Sequence, residues 1–452
     1  MNTITVALSL FSILSLLTLL NLKKSYTSTK EGFMVSNRNA SSWLVMCSIA
    51  SSWLWVIGLI LGPRFAYESG PAMVFWTYGL PFLAPVILFG YLGKKLLEKF
   101  PKGFTLNSYI TQRYGNKKLS VLYKILQILA CVYALSATMT GFGLVSKYLS
   151  PEFDSNIIVY VTAVIILLYS LVGGQKTSHR TDFINFAILT VATLGFSFWI
   201  FGNYGGTAIV TNWLTATDVS FWDTNVIINK GLFLLIIFTG GIMTDNLQYQ
   251  NVFALGDSKK VVRTYTYAAI AMAILIFSLA FVSGSMHTIS PDAGKLTLPA
   301  FETANLVLGG FGLLLFALAI LFKASSVIDS SLNGVGTVIS NDIVKKYNPI
   351  TTSRVTMAIV LIASVLIAIL NIDLWILVTT FGLLRVVTVA PTVYGLLSDK
   401  KIKSETIFYS LIAVVVIGVL LNYFAPIDKV IISLIALGLP SAFVWYEHSR
   451  AK

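Results

Sequence analysis

The chain has 452 residues, of which 56% are hydrophobic and only 11% charged, and its mean hydropathy is +0.80. A soluble globular domain carries about 25% charge, so that class is excluded, and with it a soluble nucleic-acid binder, despite the net charge of +13. Apolar runs of about 20 residues, not alternating ten-residue strands, indicate an all-α polytopic membrane protein.

Thirteen spans are expected, at roughly 4–22, 42–62, 72–93, 119–148, 156–173, 181–201, 229–251, 262–286, 309–340, 353–370, 373–396, 405–423 and 429–446. Met1–Leu22 lacks a basic leader and an A-x-A cleavage site, so it counts as a span and not a signal peptide. With the N-terminus outside and the C-terminus cytoplasmic, Arg64, Lys147, Lys230, Lys295 and Lys429 are the external cations. Lys23–Lys24, Lys94–Lys95, Lys117–Lys118, Lys259–Lys260, Lys345–Lys346 and Lys400–Lys401 all fall inside. The asymmetry sets that orientation, in the plasma membrane, by the positive-inside rule. External loops 202–228 and 287–308 carry Trp213, Trp222, Asp218 and Asp223 and read as caps or gates. The chain forms one transmembrane unit: an N-terminal helix and loop (1–41), a ten-helix core (42–396) and two C-terminal helices (397–452). Cys47 and Cys131 lie inside apolar runs, so neither a disulfide framework nor a metal site is expected.

Two spans look interrupted: the second, by its serines and then Gly58 and Gly62–Pro63, and the seventh, by Gly240–Gly241 followed by Asp245 and Asn246. They are five spans apart, the spacing of inverted repeats with a midplane binding site; close helix packing is the alternative use of such glycines. On the ninth span Lys323, Ser326, Asp329, Ser330, Asn333, Thr337 and Ser340 fall on one arc roughly 120° wide. Such a stripe is costly in lipid unless it faces a hydrated path. An interhelical seam would explain the serines but not Lys323 or Asp329.

Thr105 to the Arg113–Tyr114–Gly115 triplet, Tyr169 to Asp182 (Y-S-L-V-G-G-Q-K-T-S-H-R-T-D), and Ser325–Ser326 to Asn341–Asp342 resemble, in this order, the signatures of the sodium:solute symporter family. That resemblance implies a LeuT-type inverted repeat, a five-plus-five core with one extra N-terminal and two extra C-terminal helices, and alternating-access symport. Ser51–Trp55 with Tyr67–Pro71, and Asp245–Gln250, are similar to stretches of active urea transporters, so the resemblance makes urea the leading solute. Ile57–Ile60 and Asn251 depart from the urea-transporter pattern.

A small neutral solute with several hydrogen-bonding groups needs flat walls, donors and acceptors. Ser51, Ser52, Trp53, Trp55, Asp245, Asn246 and Gln248 are therefore the candidate solute residues. Tryptophan is more often an interfacial anchor, but Trp53 and Trp55 lie mid-span.

The resemblance further implies a sodium site between the carbonyls of Ala50 and Trp53 and the ninth span, where Lys323 takes a carbonyl position and Ser326 and Val327 the hydroxyl positions. One hydroxyl is thus lost, and the lysine could stand in for the ion. A register shifted by one would use Ser325 and Ser326 but break the match at Asn341–Asp342. A second family site would use Asp182 with Asp329 and Ser330. Two arrangements compete: an oxygen cage for Na+ from Asp182, Asp329, Ser326 and Ser330, or a proton relay in which both carboxylates pair with Lys323. A static lysine–aspartate bridge is the bland alternative.

Arg385 is expected either to close a gate on a carboxylate or to snorkel, and His179 and Arg180 to be solvated loop charges. No enzyme motif is present, no cofactor is expected beyond a coupling Na+ or H+, and the expected partners are a small solute and the bilayer. A proton-coupled transporter or uniporter of an amino acid or similar solute is the alternative function. Oligomeric state is not specified by the sequence.

Overall fold

The computed structural model describes residues 3–22, 29–217, 219–370, 372–425 and 427–451, and among them the chain is helical with no strand. Lys23–Lys24 and Asp218, invoked above for charge and loop character, lie outside the described residues. In chain order, α1 (Thr3–Leu22) and the short α2 (Lys30–Val35) precede α3 (Ser42–Trp53) and α4 (Val56–Val74). Then come α5 (Leu80–Lys99), α6 (Leu106–Tyr114), α7 (Lys117–Leu149), α8 (Ser155–Thr190), α9 (Phe196–Asn203) and α10 (Thr207–Thr215). The second half holds α11 (Phe233–Thr244), α12 (Asn246–Leu255), α13 (Ser258–Gly284), α14 (Met286–Ile289), α15 (Pro299–Val338) and α16 (Pro349–Ala368). It closes with α17 (Leu374–Val386), α18 (Val389–Leu397), α19 (Ser404–Phe424) and α20 (Lys429–Arg450).

Ten stretches among the described residues are long and apolar enough to cross a membrane, against thirteen expected. Part of the difference arises because helix continues through two expected loops. Gly70 (φ 76°) turns the chain within α4, and Gly174 (φ 60°) turns it within α8. A Cβ on Gly174 would lie 2.3 Å from the carbonyl oxygen of Phe33, so α2 can pack under this corner only against glycine.

Both expected interruptions exist, the second at Asp245 as named and neither at its glycines. The first break is at Leu54–Trp55, between α3 and α4, and Gly58, Gly62 and Pro63 are helical. The second is at Asp245, between α11 and α12, and Gly240 and Gly241 are helical. The glycines serve close approach instead: a Cβ at Gly240 would meet Val386 at 2.5 Å, and one at Gly241 would meet Trp53 at 2.8 Å. Buried tyrosines occupy carbonyls near the second break, where Tyr249 donates to Met243 O (2.6 Å) and Tyr265 to Gln248 O (2.9 Å). This satisfies backbone groups that could not be left bare in the bilayer.

Around the breaks, α8 packs on α3 and α15, α13 on α4 and α5, and α17 on α7 and α11. The polar arc is buried from Lys323 on α15 to Ser340 in the turn that follows it, and so are Ile328 and Leu332 on its other side. At the end of the bundle where Thr105, Lys30 and Asn341 meet, Asp342 accepts from Thr105 and Ser108 (2.6 Å each) and Asn341 from Lys30 (2.6 Å). Arg113 there donates to the carbonyls of Ser398 (2.9 Å) and Lys400 (2.7 Å), which ties α6 to the loop after α18.

Candidate functional site

The first break delivers two tryptophans into the bundle. Trp53, only 2% exposed, meets Trp55, Phe82 and Phe238 edge-on at 6.4 Å each, and its indole N–H has no partner among the described residues. Trp55 lies 4.5 Å from Phe381 of α17. Phe381 also carries the guanidinium of Arg385 at 4.7 Å, so it is a wall shared by the tryptophans and the arginine.

At the second break Asp245 does two jobs. Its Oδ1 accepts from Leu247 N (3.1 Å) and caps α12, while its Oδ2 lies 2.9 Å from Arg385 Nη1. The same Nη1 donates to Gly241 O at 2.9 Å, and Arg385 Nε is unpartnered among the described residues. The side chains of Arg385 and Asp245 are 7% and 18% exposed. They line a small hollow with Gln127, Asn246 and Ser331, over a floor that includes Cys131 and Val335. The carboxylate partner expected for Arg385 is thus Asp245, and the snorkelling alternative is overturned. Gln127 and Phe381 escaped the sequence, because a single Gln or Phe in an apolar span carries no periodic signal.

Other candidate solute residues have polar groups engaged, Asn246 within the hollow's lining and the rest away from it. Asn246 is committed to scaffolding: its Oδ1 accepts from Leu106 N (3.0 Å) and its Nδ2 donates to Gly334 O (3.1 Å). Gln248 faces α13, where Tyr265 donates to it. Ser52 donates to Ser48 O in its own helix (2.7 Å), and Ser51 to Ser326 Oγ (2.8 Å), away from the hollow.

Ser51 belongs to a second constellation, between α3, α8 and α15. Asp182, fully buried, accepts hydrogen bonds from Ser48 and Ser326 and a further one from Ser330 (3.2 Å). Asp329, 1% exposed, accepts from Thr181 (3.1 Å) and Ser178 (3.2 Å). Ser178 also lies 3.5 Å from Asp182, so one hydroxyl bridges the two carboxylates. Ala50 is buried beside Ser51, and Val327 brings no oxygen. Ser48, Ser178 and Thr181 were missed as partners of this pair, although Ser178 and Thr181 stand four and one residues before Asp182. Every donor at this cluster is a hard oxygen, the chemistry that suits Na+.

Lys323 is 1% exposed, and its ammonium has no hydrogen-bond partner or ion pair among the described residues. The static bridge and the relay that need it paired to Asp182 and Asp329 are therefore not formed. His179 corrects another expectation: it is 2% exposed and bonded to Ser36, Gln175 and Asn251, because the turn at Gly174 tucks it under α2 and α12. Arg180 is exposed, as expected.

A polytopic membrane bundle with two broken helices, a charged hollow at the second break and a buried cluster of carboxylate and hydroxyl oxygens between α3, α8 and α15 is the class of protein these elements describe. The model of the Sodium:solute symporter family matches residues 33–398, and the chain belongs to that family. A Na+-coupled sialic acid symporter, solved in a substrate-bound outward-open state described as revealing a novel Na+-site, shares the fold. Its TM-score is 0.74 at 17% identity, over 100% of this chain and 98% of that one. Curated relatives include a probable urea active transporter 1 of Schizosaccharomyces pombe, 25% identical over 37% of this chain and 25% of its own length. The urea active transporter of Saccharomyces cerevisiae is 24% identical over 38% of this chain and 23% of its own. The sodium/glucose cotransporter 1 of Sus scrofa is 25% identical over 45% and 30%. The chain thus spans less than a third of the length of these curated relatives.

Proposed function

We propose that this chain is a secondary active symporter that carries urea, or a closely related planar amide, together with Na+ by alternating access. The observation that carries the solute is the Asp245–Arg385 pair at 2.9 Å beneath the Phe381 wall. Urea presents a carbonyl oxygen beside two NH2 groups in one plane. Arg385 can donate to the oxygen, Asp245 can accept from the nitrogens, and Phe381 with Trp55 offers flat faces. Two of the similar relatives are urea transporters, which points the same way. The coupling ion is assigned to Asp182 and Asp329, with the hydroxyls of Ser326 and Ser330.

A second solute class is favoured by the same pair, since a carboxylate and a guanidinium in one hollow also fit the two ends of an amino-acid zwitterion. The deciding experiment is uptake of labelled urea, amino acids and hexoses into proteoliposomes under an inward Na+ gradient. Concentrative uptake of urea that unlabelled amino acids do not compete is expected. Uptake confined to amino acids or hexoses would overturn the urea assignment.

A further inference from the structure

A groove of about 600 Å3 lies outside both sites, on the surface where the turn after α15 (Ile339–Ile343) meets α16. Its two ends differ in chemistry. Ile339, Val355, Ile359 and Val360 line one end, and Tyr347, Asn348, Thr351 and Thr352 the other, where the chain connects α15 to α16. Thr351 to Ile359 is about 12 Å of helix, so polar lining gives way to hydrocarbon within that length. Val355 and Ile359 are 54% and 62% exposed. Val344 and Tyr347, both in the lining, bracket Lys345 and Lys346 in the chain. Both lysines are exposed, and neither forms an ion pair among the described residues. Lys346 Nζ lies 5.9 Å from the centre of the Tyr347 ring, which puts that ammonium at the polar end. The acid next to them in sequence, Asp342, is taken by Thr105 and Ser108, and Arg354 turns away to Val172 O (3.3 Å).

We infer that this groove is a binding site for one anionic phospholipid, its phosphate at Lys345 and Lys346 and an acyl chain against Val355 and Ile359. Cavities of about 300–1,000 Å3 take single small molecules, and a charged, polar end that runs into an apolar one matches the build of a lipid. Neutral lipid touches every membrane bundle, so the two ammoniums without acidic partners are what give the site its selectivity. A zwitterionic headgroup brings its own cation and leaves them unneutralised. Each lysine near the membrane surface favours an anionic headgroup, and two together give a preference of about thirtyfold. Tyr347, at the same end, is a residue type that sits at headgroup level.

Native mass spectrometry of the purified full-length chain, with phosphatidylglycerol and phosphatidylcholine in competition, tests this without knowledge of the solute or the ion. The wild type is expected to retain one phosphatidylglycerol per chain, preferred by about thirtyfold. Lys345→Gln with Lys346→Gln should bring the two lipids near parity, and Lys345→Arg with Lys346→Arg should keep the preference. Ile359→Trp, on the exposed face and so compatible with folding, should fill the apolar end and lose the retained lipid. Lys400→Gln with Lys401→Gln, a second exposed lysine pair outside the groove, should leave the preference unchanged. An equal loss in that control would mean general surface charge and overturn the inference. Displacement by glycerol 3-phosphate at the lipid's own concentration would reduce the site to an anion site and overturn it too. So would phosphatidylglycerol retention that Ile359→Trp leaves intact, or a lipid-free dimer that Ile359→Trp dissociates, which would make the groove a contact between two copies of the chain.

Discussion

The hollow and the cage use the same charged groups to opposite ends. In the hollow, Asp245 meets Arg385 at 2.9 Å, so its charges are matched before any solute arrives. In the cage, Asp182 and Asp329 meet each other through Ser178, and the buried lysine bonds to neither. A matched pair can present donors and acceptors to a neutral molecule without a net change of charge. An unmatched pair of carboxylates is completed only by a cation. That difference is the ground for proposing the hollow for the solute and the cage for the ion.

Removing one member of the matched pair should have the largest effect. Arg385→Gln strands Asp245 and is expected to weaken solute binding by about 2–4 kcal/mol, roughly 30- to 1,000-fold, measurable by equilibrium binding of labelled urea. Arg385→Gln combined with Asp245→Asn should cost less than the two single changes summed, and strict additivity would show that the two act independently. Next in size is Gly241→Ala, whose Cβ would press on Trp53 at 2.8 Å. Overpacking of this kind costs about 1–3 kcal/mol, and here it should lower both the melting temperature and solute affinity, because Trp53 is displaced. Gly174→Ala, by contrast, should lower the melting temperature and leave solute affinity nearly unchanged, since its φ of 60° and its contact with Phe33 lie away from the hollow.

The smallest effect is expected at the surface. The hydrogen bond and charge of Lys99, 2.7 Å away, hold the Asp399 carboxyl below the usual carboxylate range. A depressed folded-state value means that the stabilisation is present above the unfolded-state value and is lost as pH falls through the folded one. Asp399→Asn should therefore be slightly less stable than the wild type at neutral pH and equal to it once the pH has fallen below the folded-state value, which a melting series of both at decreasing pH would check.

Much of this was legible in the sequence because charge and hydropathy are strong signals in a membrane chain. Lys323 and Asp329 stood out, as did both interrupted helices, since lipid penalises such groups unless a fold compensates them, whereas Asp182 was reached only through the resemblance of Tyr169–Asp182 to the family signature. The exact breaks were legible only in part. Asp245 was among the residues that marked the second interruption and is where that helix opens, but Gly58, Gly62 and Gly241 also suggested breaks and are helical, Gly241 giving room to the Trp53 ring while the first helix opens at Leu54–Trp55. Side-chain commitment was hidden for the same reason. That Asn246 binds backbone at Leu106 and Gly334, or that His179 is buried under α2, depends on segments about 70 to 140 residues away, which no local pattern encodes.

The claim that solute and ion sites are distinct yet coupled is tested most directly by thermodynamic linkage. Labelled-urea affinity should be measured across a Na+ titration at constant ionic strength, and Na+ affinity across a urea titration. Linkage requires the two to change by the same factor. We predict a shared factor of about tenfold or more in the wild type that vanishes in Asp182→Asn, while that variant still binds urea in the absence of Na+. A urea affinity independent of Na+ in the wild type, or a linkage that survives Asp182→Asn, would contradict it.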